Sequence, residues 1–247
     1  MIESLYVNYL GPFKQYVMVD CIGGPRPLQL RHVINVQKGG TIPMMLALMY
    51  YYDNWSMSAY LYLANHGTYG LVWLLKELIL PDKTWMVPIT IPSIIVVATV
   101  LMGYWGAGYI VIAHRVQVSP ALAGLCTGMN ILGMICMIGT DTQKYFQLKY
   151  KPGLISDGWV TWSRNTNYFG EMMLYLSYAL LAQHWFPFAV LAFVWSLLFA
   201  SNMIAKDISL RKKNGGQLYV QRTGLLVPNV FGWFKNRYFP KPVSRTN

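Results

Sequence analysis

The chain has 247 residues, 55% of them hydrophobic and only 12% charged, with a formal net charge of +11. Length alone would suit one or two soluble domains, but this composition excludes them and points to a membrane protein. The positive charge does not mark a nucleic-acid binder, because the bases occupy no separate soluble face and accompany no recognition motif. Anionic lipid headgroups and a phosphorylated cofactor are the expected counterions.

Residues 1–41 form a basic, turn-rich segment bracketed by GGPRPLQL and KGGTIP, expected to lie on the membrane surface. The beginning of the chain lacks the pattern of a secretory signal peptide. A first span is predicted over Ile42–Tyr62, with Tyr50, Tyr51, Tyr52 and Trp55 as an interfacial aromatic belt and Asp53 as a solvated charge at a helix end. A second is predicted over Gly67–Leu80, extended backwards by Leu63 to His66. Along it His66, Tyr69, Trp73 and Lys76 recur every three or four residues and share one helical face. That stripe can line a cavity; the preferred reading is an interhelical hydrogen bond for His66 and a headgroup contact for Lys76.

Ile91–Ala113 and Pro120–Thr140 make the third and fourth spans. Gly103, Gly106 and Gly108 in one, and the G-x-x-x-G pair Gly124 and Gly128 in the other, are expected to mark tight helix packing. Asn130 lies mid-span, as an internal hydrogen bond or as a polar group in a cavity. Cys21, Cys126 and Cys136 are odd in number and lack C-x-x-C spacing, and no metal site is expected. Phe169–Gln183 and Phe186–Ala205 complete the set as an antiparallel hairpin, turning at Gln183, His184 and Trp185 before Pro187. The fold class is therefore all-α: a polytopic membrane protein of about six transmembrane helices. Six spans leave Arg115 alone on one side and place the other 19 of the 20 Lys and Arg on the opposite side, with both termini. The divisions that follow are the surface segment 1–41, a four-helix part 42–140, a cofactor-type part 141–230 and a basic tail 231–247.

Between the fourth and fifth spans, Asp141 to Glu171 holds most of the polar chemistry, and four groups converge on its membrane face. They are Asp141, Gln143, Lys144 and Lys149; Ser163, Arg164, Asn167, Tyr168 and Glu171; Lys206, Asp207 and Arg211; and Tyr219, Arg222 and Thr223. Arg and Lys suit phosphates, Asn and carboxylates suit ribose and amide groups, and Tyr can stack on a ring or donate a proton. A nucleotide fits this inventory, and so does a basic loop bound to lipid.

S-R-N-T-N-Y-F-G-E at Ser163–Glu171 resembles the S-R-H-P-N-Y-F-G-E motif of the steroid 5-alpha-reductase-like membrane reductases. That superfamily also holds sterol reductases and isoprenylcysteine carboxyl methyltransferases. D-x-Q-K-x-x-F from Asp141, G-W from Gly158, Asp207, and Y-x-x-R-T from Tyr219 with Pro228 beyond extend the likeness over about residues 60–230. The resemblance implies a multi-helix enzyme whose C-terminal half binds NADPH, with Arg164, Asn167, Tyr168, Asp207, Tyr219 and Arg222 as contacts. Asp141, Gln143 and Lys144 would border the same pocket. Two positions depart from the pattern: Asn165-Thr166 stands for His-Pro, and Gly216 for a tyrosine.

The leading expectation is NADPH-dependent reduction of a C=C bond in a steroid-like or other lipid substrate. Tyr168 and Glu171 are the catalytic candidates by chemistry, His66 and Tyr69 by their shared face. A second reading is a non-catalytic accessory subunit of a larger membrane complex, such as a respiratory assembly; a third, methyl transfer, would need S-adenosylmethionine. Expected partners are membrane lipids, a lipid-like substrate and, in the second reading, other subunits. Endoplasmic reticulum and mitochondrial inner membrane are both open, with the termini on the cytoplasm-like or matrix side.

Overall fold

A computed structural model describes residues 2–227 and 229. Pro228 and the basic tail 231–247 lie outside the described residues. An N-terminal helix, α1 over 2–20, alternates α and π turns. Six long helices follow: α2 Leu30–Tyr51, α3 Met57–Ile79, α4 Ile91–Ala113, α5 Pro120–Tyr150, α6 Thr166–Ala182 and α7 Trp185–Arg211. A short α8, Gly216–Arg222, ends the described helices. The fold is all-α apart from a two-residue antiparallel pair, β1 Leu28–Gln29 with β2 Pro88–Ile89, and one isolated bridge.

The start signals are local. Ser56, Thr90 and Ser119 each accept a backbone N–H three residues on, and Pro92 and Pro120 sit in the first turns of α4 and α5. Helix α4 passes through a 3₁₀ turn at Gly103–Trp105, and α7 through a π turn at Trp195–Phe199.

Three helices, α4, α5 and α7, are long and apolar enough to cross a membrane, which makes the chain a membrane protein. Only 33%, 22% and 28% of their apolar windows are buried within the protein, so they offer most of their surface to the surroundings. Polar side chains are nonetheless buried on all six long helices. Lys38 on α2 and Asn65, His66 and Glu77 on α3 are all buried, and α6 brings Ser177 inside. Tyr62, Tyr69, Tyr104, Tyr175 and Tyr178 pack around them as a tyrosine-rich core.

The expected first span, Ile42–Tyr62, is not continuous: the chain turns at 52–56 and continues as α3. Asp53 takes a left-handed backbone (φ 46°) and is exposed, and buried Asn54 donates to the Ile112 carbonyl at 2.7 Å. Arg115 donates to the carbonyls of Tyr52 and Asp53 at 2.9 and 3.1 Å and so caps the end of α2. Helix α2 accordingly begins at Leu30, inside the stretch expected to lie on the surface, and α3 takes in the expected second span.

Close packing occurs at Gly106 and Gly108, where an added Cβ would meet Phe186 at 2.5 Å and Met45 at 2.3 Å. The G-x-x-x-G pair behaves otherwise. A Cβ at Gly124 or Gly128 would meet nothing within 4 Å, so those glycines make no helix contact among the described residues. Helix α5 packs closely on α6 through another pair: a Cβ on Gly170 would lie 2.4 Å from the Gly133 carbonyl oxygen, and one on Gly133 would lie 2.6 Å from that of Gly170. Asn130 resolves as an internal hydrogen bond, donating to the Tyr178 hydroxyl at 2.8 Å.

Candidate functional site

The polar ends of α3, α5, α6 and α7 meet beneath α1 around a cavity of about 340 Å³. Asp141, Lys144, Asn167, Tyr168 and Glu171 line it, together with Lys14, Lys76, Asn202 and Lys206. Helical spacing explains the convergence: Asn167, Tyr168 and Glu171 lie within the first turns of α6, and Asp141 and Lys144 are one turn apart on α5. A second cavity of about 580 Å³ shares Lys76, Asp82, Thr84, Asp141 and Lys144, and extends along α5 to Lys149. The two have the scale of a ligand pocket.

The cavity holds one ion pair among its described residues. Lys76 donates to Asp141 Oδ2 at 2.5 Å, and Asn167 Nδ2 donates to Asp141 Oδ1 at 3.1 Å. The expected headgroup contact of Lys76 is thus replaced by a largely buried ion pair, its side chain 9% exposed. Tyr69 donates to Glu171 Oε1 at 3.1 Å. Tyr168 packs edge-on against Phe199 at 4.9 Å and its hydroxyl is hydrogen-bonded to Asn202. Lys14 of α1 donates to Asn202 Oδ1 at 2.5 Å, and burial lowers the affinity of that amine for its proton. Asn167 Oδ1 is buried without a partner, an acceptor left for a ligand donor.

Other expected contacts sit in a neighbouring, closed network. The Arg164 guanidinium grips Asp207 with Nε at 2.8 Å and Nη2 at 2.7 Å, while Nη1 donates to the carbonyls of Val220, at 2.8 Å, and Thr223. Arg164 and Asp207 are both buried. Tyr219 donates to the Val160 carbonyl at 2.8 Å, and burial pushes its hydroxyl up to about 12. Arg164, Tyr219, Lys144 and Lys206 line a third cavity of about 240 Å³. Gln143 faces the loop instead: it donates to the Asp157 carbonyl at 2.9 Å and accepts from Trp159 N at 2.8 Å. Arg222 is exposed on α8 and does not line the main cavity.

The departures from the motif have local causes. Asn165 is fully buried, donates to the Leu225 carbonyl at 2.8 Å and accepts from Lys206 at 3.1 Å. Its ψ of 48° lies outside the range that a following proline favours. At Gly216 an added Cβ would lie 1.8 Å from the Leu210 carbonyl oxygen, which leaves no room for a tyrosine.

On the His66 stripe, His66, Tyr69 and Trp73 are all buried. The His66 hydrogen bond stays within its own helix, Nδ1 with the Tyr62 hydroxyl at 2.9 Å, and the ring stacks across on Tyr178 at 4.4 Å. Sequence reasoning missed Lys38, Tyr175, Lys14 and Asn202. A lysine inside an otherwise helical, apolar stretch was the available signal for Lys38; its position ahead of the expected first span concealed it.

A family model described as "Protein of unknown function (DUF1295)" matches residues 13–219. Comparison with curated proteins and comparison with solved structures each gave no match. The model spans most of the chain, bundle and site alike, and the protein therefore belongs to the DUF1295 family, within the steroid 5-alpha-reductase-like group.

Proposed function

We propose that this protein is a membrane oxidoreductase of the steroid 5-alpha-reductase type, reducing a C=C bond of a steroid-like or other lipid substrate with NADPH. One observation carries the reading: Asp141, Lys144, Asn167, Tyr168 and Glu171 converge on one cavity, with Lys14, Lys76 and Lys206 around it. The residues present fit the cofactor. Four ammonium groups suit its phosphates, Asp141 and Glu171 accept from hydroxyl and amide donors, and the unpartnered Asn167 Oδ1 accepts one more. When bound, NADPH supplies the hydride. Tyr168 and Glu171 are the candidate catalytic groups, and the walls of the bundle keep water from the reacting carbon. The outward-facing apolar helices α4, α5 and α7 suit entry of a lipid from the side. The turns at the far end, 52–56, 114–119 and 183–184, contain Arg115 as their one Lys or Arg. This supports placing both termini on the cytoplasm-like or matrix side, in the endoplasmic reticulum or the mitochondrial inner membrane.

Lys144→Ala is expected to weaken NADPH binding about 10-fold, with the loss shrinking at high salt, because one charge-assisted phosphate contact disappears. Isothermal titration of the purified full-length protein measures it. An unchanged, salt-independent affinity, or no NADPH binding by the wild-type protein, sinks the reading.

A second reading, a catalytically silent accessory subunit of a larger membrane complex, is favoured by the Arg164–Asp207 network. There, residues expected at the cofactor are spent on holding the chain to itself. Native mass spectrometry after gentle solubilisation separates the two: bound NADPH supports the first, and an empty pocket with a constant set of other subunits supports the second.

A further inference from the structure

Lys38 is 3% exposed, deep in the bundle, and takes no part in the contacts described above. Its ammonium lies 4.4 Å from the ring centre of Tyr69, 4.9 Å from Tyr175, 5.1 Å from Trp73 and 5.8 Å from Tyr104. It donates to the hydroxyls of Tyr69, at 3.3 Å, and Tyr175. The backbone fixes its place: a Cβ on Gly70 would lie 2.3 Å from the Lys38 carbonyl oxygen, so α2 and α3 touch at this level. An ionisable group held this deep among apolar helices is costly to retain without a function.

The hydrogen bonds have a direction. Lys38 donates to Tyr69, and Tyr69 donates to Glu171, which faces the cavity. On the other side of the cage the space lined by Tyr104, Tyr175 and Tyr178 is about 10 Å³, no more than a single water needs. The charged neighbours of this path are Lys76 on α3, about two turns from Tyr69, and Asp141 on α5, with His66 the nearest further titratable side chain of α3. Lys14, Asp82, Lys144 and Lys206 complete the charged lining of the cavity.

We propose that Lys38 is a positioning residue that supplies protons to Glu171 through the Tyr69 hydroxyl. The inference rests on the reductase reading, which needs one proton at carbon for each hydride delivered. A proton passes from the Lys38 ammonium to the Tyr69 oxygen as the Tyr69 proton passes to Glu171. Ammonium and carboxylate thereby become amine and carboxylic acid with no change in net charge, a conversion suited to a poorly solvated interior. Glu171 O–H then breaks as the substrate C–H bond forms. After product leaves, a hydronium ion from solvent in the emptied cavity protonates Glu171 and becomes water, and the proton passes back through Tyr69 to the Lys38 amine.

Two variants test this in the full-length protein in lipid nanodiscs. Lys38→Met is read without turnover, by infrared spectroscopy. At neutral pH it is expected to show a carboxylic-acid carbonyl band that is absent from the wild type and abolished by adding Glu171→Gln. Tyr69→Phe removes one hydroxyl and is expected to lower kcat at least 10-fold, with NADPH as donor and progesterone as the enone. Its NADPH Kd should stay unchanged and its solvent isotope effect should differ from that of the wild type. Absence of the band in Lys38→Met, or a Tyr69→Phe enzyme with wild-type kcat, overturns the relay. A wild-type protein that reduces no enone fails the reductase reading instead, and the infrared result still decides whether Lys38 governs Glu171.

Discussion

Asp207→Asn is expected to destabilise the protein by about 3–5 kcal/mol, because it leaves the buried Arg164 guanidinium without its counter-charge. Arg164 and Asp207 side chains are only 7% and 9% exposed, and two parallel hydrogen bonds join them. Asparagine offers one acceptor where the carboxylate offers two, so one donor is stranded and the charge stays uncompensated. The consequence reaches further than the pair. Through Nη1 the same guanidinium holds the carbonyls of Val220 and Thr223, and Arg164 N donates to the Gly224 carbonyl at 2.9 Å. Lys206 adds a bond to the Arg164 carbonyl, and Ser163 donates to the Leu226 carbonyl at 2.8 Å. Loosening the pair should release α8 from the loop before α6. Thermal unfolding together with limited proteolysis reads both effects: a lower midpoint, and new cleavage after Arg211. The double variant Arg164→Met with Asp207→Leu removes both charges and should recover much of the loss. A single variant as stable as the wild type would show that the pair does not hold the C-terminal segment.

The second large effect is expected where α5 crosses α6. Gly170→Val should cost about 3 kcal/mol, since the new Cβ would stand 2.4 Å from the Gly133 carbonyl oxygen and 2.8 Å from Met137 N. Both obstacles are backbone, so no side-chain rotation relieves the contact, and the helices must separate along their whole shared face. That separation would also carry Asn167 and Glu171 away from Asp141, coupling stability to the cavity. Gly124→Ala and Gly128→Ala on the same α5 provide the contrast. Their added methyl groups meet open space, and alanine is the better helix former by roughly 0.8–1.0 kcal/mol, so both should be neutral or stabilising. Unfolding of the three variants in one detergent decides it. Equal destabilisation at Gly124 and Gly170 would mean that α5 packs through its G-x-x-x-G face after all.

These glycines also show where reading the sequence succeeds and where it stops. Spacing identifies Gly124 and Gly128 as a packing motif, yet the packing pair is Gly133 with Gly170, separated by 37 positions and two helix ends. Nothing local distinguishes a glycine that faces a partner from one that faces outward. Charge behaves similarly. Lys76 reads as an interfacial base until α5 brings Asp141 to it, and Lys38 reads as part of a surface segment until α2 begins at Leu30. Of the polar residues expected to converge, Asp141, Lys144, Asn167, Tyr168, Glu171 and Lys206 do share a cavity, while Arg164, Asp207 and Tyr219 form a neighbouring network and Gln143 turns to the 157–159 loop.

By itself the sequence determined that this is an all-α membrane protein with most of its polar chemistry between Asp141 and Glu171. Those properties follow from composition, apolar length and charge order, each of which acts along the chain without reference to partners. Only the tertiary structure decided which face each helix turns inward and where the first helix ends. It also decided which polar groups pair, because burial and hydrogen bonding are relations between distant segments. The Lys38–Tyr69–Glu171 path is of that kind: three residues on three helices, joined by packing that no spacing in the chain prescribes.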